Sequence, residues 1–334
     1  MSVGCKRDVW AGEFIEMQYR QFGQTQLQIL SVAMGCWVVS GLTSLDVSVE
    51  DSLATPRATL DSGINFLDTA WSYGISGDLI ARVFWEQVAD VVIATKGGLD
   101  RTADGREFHA AAVSDLVRQC EGSLRRLRCE RMHLYYLHAA DPSISLAESA
   151  GATGELIQSG KVRFAGASNL SLVQLREFHA ICPPTAVQPA YSMPQREIGA
   201  DVLPWCLSEG ISVCVYWPLM NGLLSARLSR DHVFSDGDGR KKYPMFQGEE
   251  WHRNQDLVDE LRELASGLGI SLTTLVVART LQQSGVTAAL CCAKQAWQIS
   301  ESAAAGDFRL AGDVMAAVER ALSRRGAAQT QAAV

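Results

Sequence analysis

Gly63-Ile64-Asn65-Phe66-Leu67-Asp68-Thr69-Ala70-Trp71-Ser72-Tyr73-Gly74 carries the pattern on which the fold of this chain turns. A short apolar run ends on Asp68, and a tyrosine follows five residues later. Val91-Val92-Ile93-Ala94-Thr95 closes on Lys96 in the same manner, and Leu134-Tyr135-Tyr136-Leu137 closes on His138. Short apolar runs bounded by turn residues read as buried strands. Four ionisable groups at or just beyond the C-terminal ends of such strands converge only if the strands share one sheet or barrel. Asp, Tyr, Lys and His together make a tunable proton donor that needs no metal.

Working outward, the same kind of segment recurs at 31–36, 63–69, 91–96, 132–138, 164–169, 186–191, 212–217 and 287–292. Helical periodicity fills the intervals at 50–62, 77–88, 110–128, 145–159, 171–180, 197–209 and 254–283. Near-continuous apolar strands alternating with helices specify a parallel sheet covered by helices. Eight such units in a chain of 334 residues suit an α/β fold of the (β/α)₈ TIM-barrel type. A hairpin over 17–30, turning at Gly23-Gln24-Thr25, is expected to close the bottom of the barrel. Long loops, above all 220–253, are expected at the C-terminal rim, where they cover a ligand. The expected organisation is a loosely ordered extension over 1–16, one barrel domain over 17–325 and a flexible tail over 326–334.

Composition narrows the function classes. A formal net charge of −7 leaves no basic stripe for phosphate backbones, so nucleic acid is not an expected partner. No apolar run long enough to span a bilayer occurs, and no signal peptide is visible, so no membrane partner is expected and the expected location is cytoplasmic. Nine cysteines without a CxxC motif read as reduced thiols acting mostly as small hydrophobes. His109, His133, His179, His232 and His252 show no metal-ligand spacing, and no metal site is expected. Asn169-Leu170-Ser171 matches a glycosylation sequon but falls at a strand end among the other polar rim positions. Oligomeric state is not legible.

Asp68, Lys96, His138, Ser168, Asn169, Gln188 and Tyr216 all fall at strand ends, which in a barrel share one rim. With these residues the sequence resembles the aldo-keto reductases from about Tyr19 to Ala305. Tyr19-Arg20-Gln21-Phe22-Gly23-Gln24-Thr25 resembles their opening hairpin, and the 63–74 segment their signature. Val162-Arg163-Phe164-Ala165-Gly166-Ala167-Ser168-Asn169 resembles their nicotinamide-binding strand, and Tyr216-Trp217-Pro218-Leu219 with Gly222-Leu223-Leu224 their seventh strand and its loop. The resemblance implies hydride transfer from NADPH, with NADH the alternative, to the carbonyl of a small-molecule aldehyde or ketone. Tyr73 is then the general acid, assisted by Lys96, whose charge lowers the phenol pKa, and by Asp68, which holds Lys96; His138 orients the carbonyl. Ser168, Asn169 and Gln188 are implied to bind the nicotinamide carboxamide and Tyr216 to stack on its ring. Pro218, Leu219, Gly222 and Leu224 line the rest of the cofactor, with Lys294, Gln298, Glu301 and Ser302 at its far end.

The sequence departs from the family pattern in three places. Cys291, Cys292, Gln295 and Ser302 replace proline, glycine, a hydroxyl residue and asparagine in the phosphate-binding segment, with crowding of the backbone expected at Cys292. Ala139 replaces a large residue next to His138 and leaves space beside the carbonyl. Asp78 stands where a glutamate is usual in the short segment 74–78. Trp37, Trp71 and Trp217, with Ala139, are candidates for an aromatic substrate pocket. Two other readings stay open: a non-catalytic nucleotide-binding regulatory subunit, and a barrel isomerase or lyase using the same acid–base cluster.

Overall fold

The computed structural model describes residues 13–14, 19–40, 42, 47–84 and 91–329. Its strands are, in chain order, β1 (Glu13–Phe14), β2 (Tyr19–Gln21), β3 (Gln28–Leu30), β4 (Val32–Gly35), β5 (Phe66–Asp68), β6 (Val92–Arg101), β7 (Glu107–Ala110), β8 (Met132–Leu137), β9 (Val162–Ser168), β10 (Ala186–Gln188), β11 (Ser212–Tyr216), β12 (Ala288–Cys291) and β13 (Phe308–Arg309). The helices are α1 (Val49–Asp61), α2 (Ser76–Val83), α3 (Val113–Leu127), α4 (Leu146–Gln158), α5 (Leu172–Ile181), α6 (Val202–Glu209), α7 (Gly248–Gly267), α8 (Leu272–Leu281), α9 (Ala296–Ala304) and α10 (Gly312–Arg325).

Strands β4, β5, β6, β8, β9, β10, β11 and β12 pair in parallel, and the β5–β6 ladder closes the ring. The expected (β/α)₈ barrel is therefore present. Its strands read as unbroken apolar runs because both faces are covered. Phe66, Leu134, Tyr136, Cys214 and Leu290 fill the interior, while Ile93, Tyr135, Ala165 and Val213 belong to the layer that meets the helices. The β2–β3 hairpin packs Phe22 and Ile29 into the interior cluster, so it stoppers one end of the cylinder as expected.

The structure corrects the sequence reading in four places. Strand β6 does not stop at Lys96. It continues to Arg101 and folds back antiparallel into β7, with Leu99 opposite His109 and Arg101 opposite Glu107. Residues 254–283 are two helices meeting at 93° rather than one, because the chain turns through Gly269 at φ +69°. Helix α7 begins at Gly248, inside the segment expected to be loop, and 306–325, outside the strands and helices expected, holds β13 and α10. Helix α10 buries Val314, Val318, Ala321 and Leu322, and Arg325 anchors it by pairing with Glu250 and donating to Asn254 Oδ1 at 2.7 Å. Finally, β1 lies within the extension expected to be loose, yet it pairs with β13. Residues 1–12, 15–18 and 330–334 lie outside the described residues. Among the described residues no single helix is long and apolar enough to cross a membrane.

Candidate active site

Asp68 is the last residue of β5, Lys96 lies midway along β6, and His138 immediately follows β8, so adjacent strands deliver all three to one rim. Lys96 Nζ pairs with Asp68 Oδ1 and also donates to the Thr69 carbonyl at 3.0 Å. Lys96 is 1% exposed and Asp68 3%, so little water shares in this contact. Gln188 Nε2 donates to the other Asp68 oxygen at 2.9 Å. Burial pushes the Asp68 carboxyl above its ordinary pKa, while Lys96 and Gln188 oppose that push. The Lys96 ammonium stands 4.8 Å from the centre of the Tyr73 ring, and the Tyr73 and His138 rings meet edge-on with centres 5.7 Å apart. The four groups named from sequence thus meet in one place.

Their electrostatics differ from expectation in one respect. The Tyr73 phenol is held well above pKa 10, not below it: burial dominates, and the Asp68 carboxylate adds to it. His138 is shifted the other way, well below the ordinary imidazole value, by burial and then by the charges of Lys96, Arg101 and His109. The cluster therefore presents a protonated phenol beside a neutral imidazole. Nδ1 of His138 is buried and has no hydrogen-bond partner.

The β6–β7 hairpin supplies groups that the sequence reading missed. Arg101 donates to Ser72 O at 2.9 Å, Gly105 O at 2.7 Å and Glu107 Oε2 at 2.5 Å. Its guanidinium lies 5.3 Å from the Trp37 ring, and Trp37 in turn lies 4.8 Å from the Tyr73 ring. A stack of cation, indole and phenol so forms one wall of the site. Asp104-Gly105 was the available signal, since an Asp-Gly pair between extended segments marks a tight hairpin turn, and Gly105 adopts φ +86° here.

The remaining residues named from sequence divide into two groups. Ser168 donates to the Gln188 carbonyl at 2.8 Å; Asn169 donates to the His138 carbonyl at 3.0 Å and accepts from the Tyr216 hydroxyl at 2.7 Å. Both ends of the Asn169 amide are thereby committed within the protein. Trp217 packs edge-on against Tyr216 and Tyr243, near the rim. Trp71 does not join the pocket. Its ring lies over Gly122 of α3, where a Cβ would stand 2.2 Å from the indole, its Nε1 donates to Asp100 at 2.9 Å, and the Arg126 guanidinium covers it at 3.9 Å.

After β11 the chain passes through Leu219 (φ −94°) into Met220, Asn221 and Gly222, with φ of 46°, 52° and 90°. The turn is closed by its own amides: the N–H of Met220 donates to the Trp217 carbonyl at 2.9 Å, and those of Gly222 and Leu224 donate to the Leu219 carbonyl at 3.0 and 3.1 Å. At the start of α9, Gln298 Oε1 accepts from the N–H of Lys294 and of Gln295, Glu301 pairs with Arg227 at 2.9 Å, and the Ser302 hydroxyl donates to the Gln298 carbonyl at 3.0 Å. The Arg227 guanidinium also lies 3.8 Å from the Trp297 ring. This bridge joins the loop after β11 to α9. Among the described residues no cluster of His, Cys, Asp and Glu could hold a metal ion.

Cys292 does not crowd the backbone as expected, because Gly35 faces it. A Cβ at Gly35 would stand 2.7 Å from Cys292 Sγ. Cys292 is an exposed residue, but its thiol turns in against Gly35, where burial and then the Asp68 carboxylate push its pKa up to about 11. Gly35→Ala is expected to destabilise the fold by about 1–3 kcal/mol through overpacking. The same substitution in a Cys292→Gly background is expected to cost much less. Urea denaturation of the two single variants and the double variant measures this coupling; strictly additive effects would refute it.

Residues 31–323 match the model of the aldo/keto reductase family. Aldo-keto reductase YhdN of Bacillus subtilis (strain 168) is 31% identical over 288 residues, which are 85% of this chain and 87% of that protein. Probable aldo-keto reductase 1 of Glycine max is 28% identical over 272 residues, 80% of this chain and 78% of the relative. Among solved structures, the glycerol dehydrogenase AKR11B4 from Gluconobacter oxydans superposes with a TM-score of 0.85 at 30% identity, covering 95% of this chain and 98% of that one. The holo form of aldo-keto reductase AKR11C1 from Bacillus halodurans superposes with a TM-score of 0.74 at 22% identity, covering 92% and 96%.

Proposed function

The chain belongs to the aldo/keto reductase family of nicotinamide-dependent oxidoreductases that reduce carbonyls, and from that premise we propose that it reduces aldehydes or ketones with NADPH, Tyr73 being the proton donor. The observation that carries this reading is the contact set of Tyr73 with Lys96, Asp68 and His138. Bound in the groove beside β9, β10 and β11, the reduced nicotinamide would supply the hydride. Every other task falls to the chain. The raised pKa of Tyr73 keeps the phenol protonated across the neutral range, ready to give its proton to a developing alkoxide, which is far more basic than a phenolate. Neutral His138 can hydrogen-bond the carbonyl oxygen and stabilise charge as it develops. Lys96 and Asp68 fix the floor on which the tyrosine ring rests. Asn169 ties the His138 backbone to Tyr216 and so sets the height of the imidazole.

The far end of the cofactor is assigned to Lys294, Gln298, Glu301 and Ser302, with the start of α9 offering the favourable dipole for a 2′-phosphate. This favours NADPH over NADH. The Arg227 bridge to Trp297 and Glu301 ties the loop after β11 to α9, and we infer that it parts when the nucleotide leaves. Arg227→Ala is expected to raise the NADPH Kd about threefold to tenfold, the combined worth of one exposed cation–π contact and one surface ion pair. The rise should appear in the dissociation rate, followed by stopped-flow nucleotide fluorescence; unchanged dissociation would remove the bridge from this role. The described cysteines are all free thiols, as suits the reducing cytoplasm we assign.

NADPH oxidation over a panel of aldehydes, ketones and quinones tests the whole reading. Turnover with at least one carbonyl compound is expected. Tight NADPH binding without turnover would replace it with a regulatory subunit, and product formation without nucleotide consumption with a lyase or isomerase.

A further inference from the structure

Tyr73 lies between elements: β5 ends at Asp68 and α2 begins at Ser76. The strand pairing that fixes Asp68 and Lys96 therefore stops short of the phenol. The backbone bonds of Tyr73 itself are local, its N–H donating to the Ala70 carbonyl at 3.1 Å and its carbonyl accepting from the Ser76 N–H at 3.0 Å. One main-chain bond ties the turn to the barrel, from the Trp71 N–H to the Lys96 carbonyl at 2.9 Å.

The carbonyls on either side of Tyr73 end on guanidinium groups. Arg126 of α3 donates through Nη1 to the Trp71 carbonyl at 2.9 Å and, at a longer reach of 3.5 Å, to that of Gly74. Arg101, the last residue of β6, donates through Nε to the Ser72 carbonyl at 2.9 Å. Each arginine is braced in turn. Arg101 also holds the Gly105 carbonyl at 2.7 Å and pairs with Glu107. Arg126 lies 3.9 Å from the centre of the Trp71 ring, and its stem rests on Gly77, where a Cβ would stand 3.2 Å from Arg126 Cβ. Bonds from a charged donor are stronger than neutral ones, and the planar fork of a guanidinium loses little freedom in making them.

Resting on the reading of Tyr73 as proton donor, we propose that Arg101 and Arg126 are positioning residues that clamp the turn around Tyr73 from two elements and so set where its hydroxyl meets the carbonyl oxygen. Both act through Tyr73 rather than on the substrate. Released from the clamp, the turn keeps its local bonds but the phenol loses its aim, and a misplacement of about 1 Å costs on the order of 10²-fold in rate.

The test is a double-mutant cycle on NADPH-dependent reduction of 4-nitrobenzaldehyde, whose electron-poor carbonyl keeps slow variants measurable. Arg126→Met keeps the stem on Gly77 and removes both bonds. Arg101→Lys keeps a charge beside His138 and removes the fork. Each is made alone and together with Tyr73→Phe. Alone, each is expected to lower kcat by about tenfold to a hundredfold, with the NADPH Kd changed by less than about twofold. In the Tyr73→Phe background the same substitution should change the residual rate by less than about twofold, because no donor is left to aim. A purely structural role would lower the rate by one factor in both backgrounds, and equal factors would overturn the clamp. So would an unchanged kcat in both single variants. The Arg101 side chain is 22% exposed, so its cycle decides the matter even where Arg126→Met upsets folding. Wild-type-like turnover in Tyr73→Phe, or no NADPH oxidation by the wild-type protein, would overturn the underlying reading and the clamp together.

Discussion

Tyr73→Phe is expected to lower carbonyl turnover by about 10²-fold to 10⁴-fold, the usual contribution of a positioned proton donor. The substitution removes one oxygen and leaves the ring, so the contacts with Lys96, Trp37 and His138 persist. The loss should therefore appear in kcat, with NADPH binding retained. In single-turnover experiments the proton-transfer defect should be largest for ketones, whose alkoxides are the most basic. Wild-type-like turnover in the variant would withdraw the role from Tyr73 and leave His138 as the remaining donor.

Lys96→Met is expected to cost both activity and stability. Asp68 would be left 3% exposed, with only Gln188 as a partner, and removing one member of a buried pair costs about 3–5 kcal/mol. The pH dependence has a definite sign. Burial already raises the Asp68 carboxyl above its unfolded value of about 3.9. A raised carboxyl contributes stability that is full below the unfolded pKa and is lost as pH climbs through the folded pKa. Removing Lys96 deletes the main opposing pull, so the folded pKa rises further. The deficit relative to wild type should accordingly be smaller at pH 5 than at pH 8 by urea denaturation. A deficit that grows on acidification would show that Lys96, not Asp68, bears the penalty. Replacing both residues, as Asp68→Leu with Lys96→Met, should recover much of the stability and none of the activity.

Much of this architecture was written plainly in the chain. The ring of strands was legible because strands buried on both faces cannot be polar, and the runs at Phe66, Ile93 and Leu134 end abruptly in ionisable groups. The convergence of Asp68, Lys96, Tyr73 and His138 followed from that alone. Individual side-chain directions did not. Trp71 stands two residues from Tyr73, but only the open face of Gly122 shows that its ring turns outward to α3. The hairpin at 99–110 was overlooked because it is half polar and half exposed, so the apolar signal fades where Asp104-Gly105 makes the turn. Helix α10 escaped notice although Val314, Val318, Ala321 and Leu322 keep helical spacing, because the polar residues around them mask a narrow stripe. The sign of the Tyr73 shift was missed for a different reason. Sequence names the cation and its carboxylate partner, but not how deeply the phenol is buried, and burial is the largest cause of the shift.

Strand β6 bears Lys96 at its middle and the Arg101–Glu107 pair at its far end, in one unbroken run of ten residues. Floor and wall of the reaction chamber are therefore two arms of one lever, articulated at Gly98, where φ is +105°. Evolution or design can exchange the tip of that lever, from Thr102 to Arg106, to suit a new guest without touching the ring that keeps the ammonium in place.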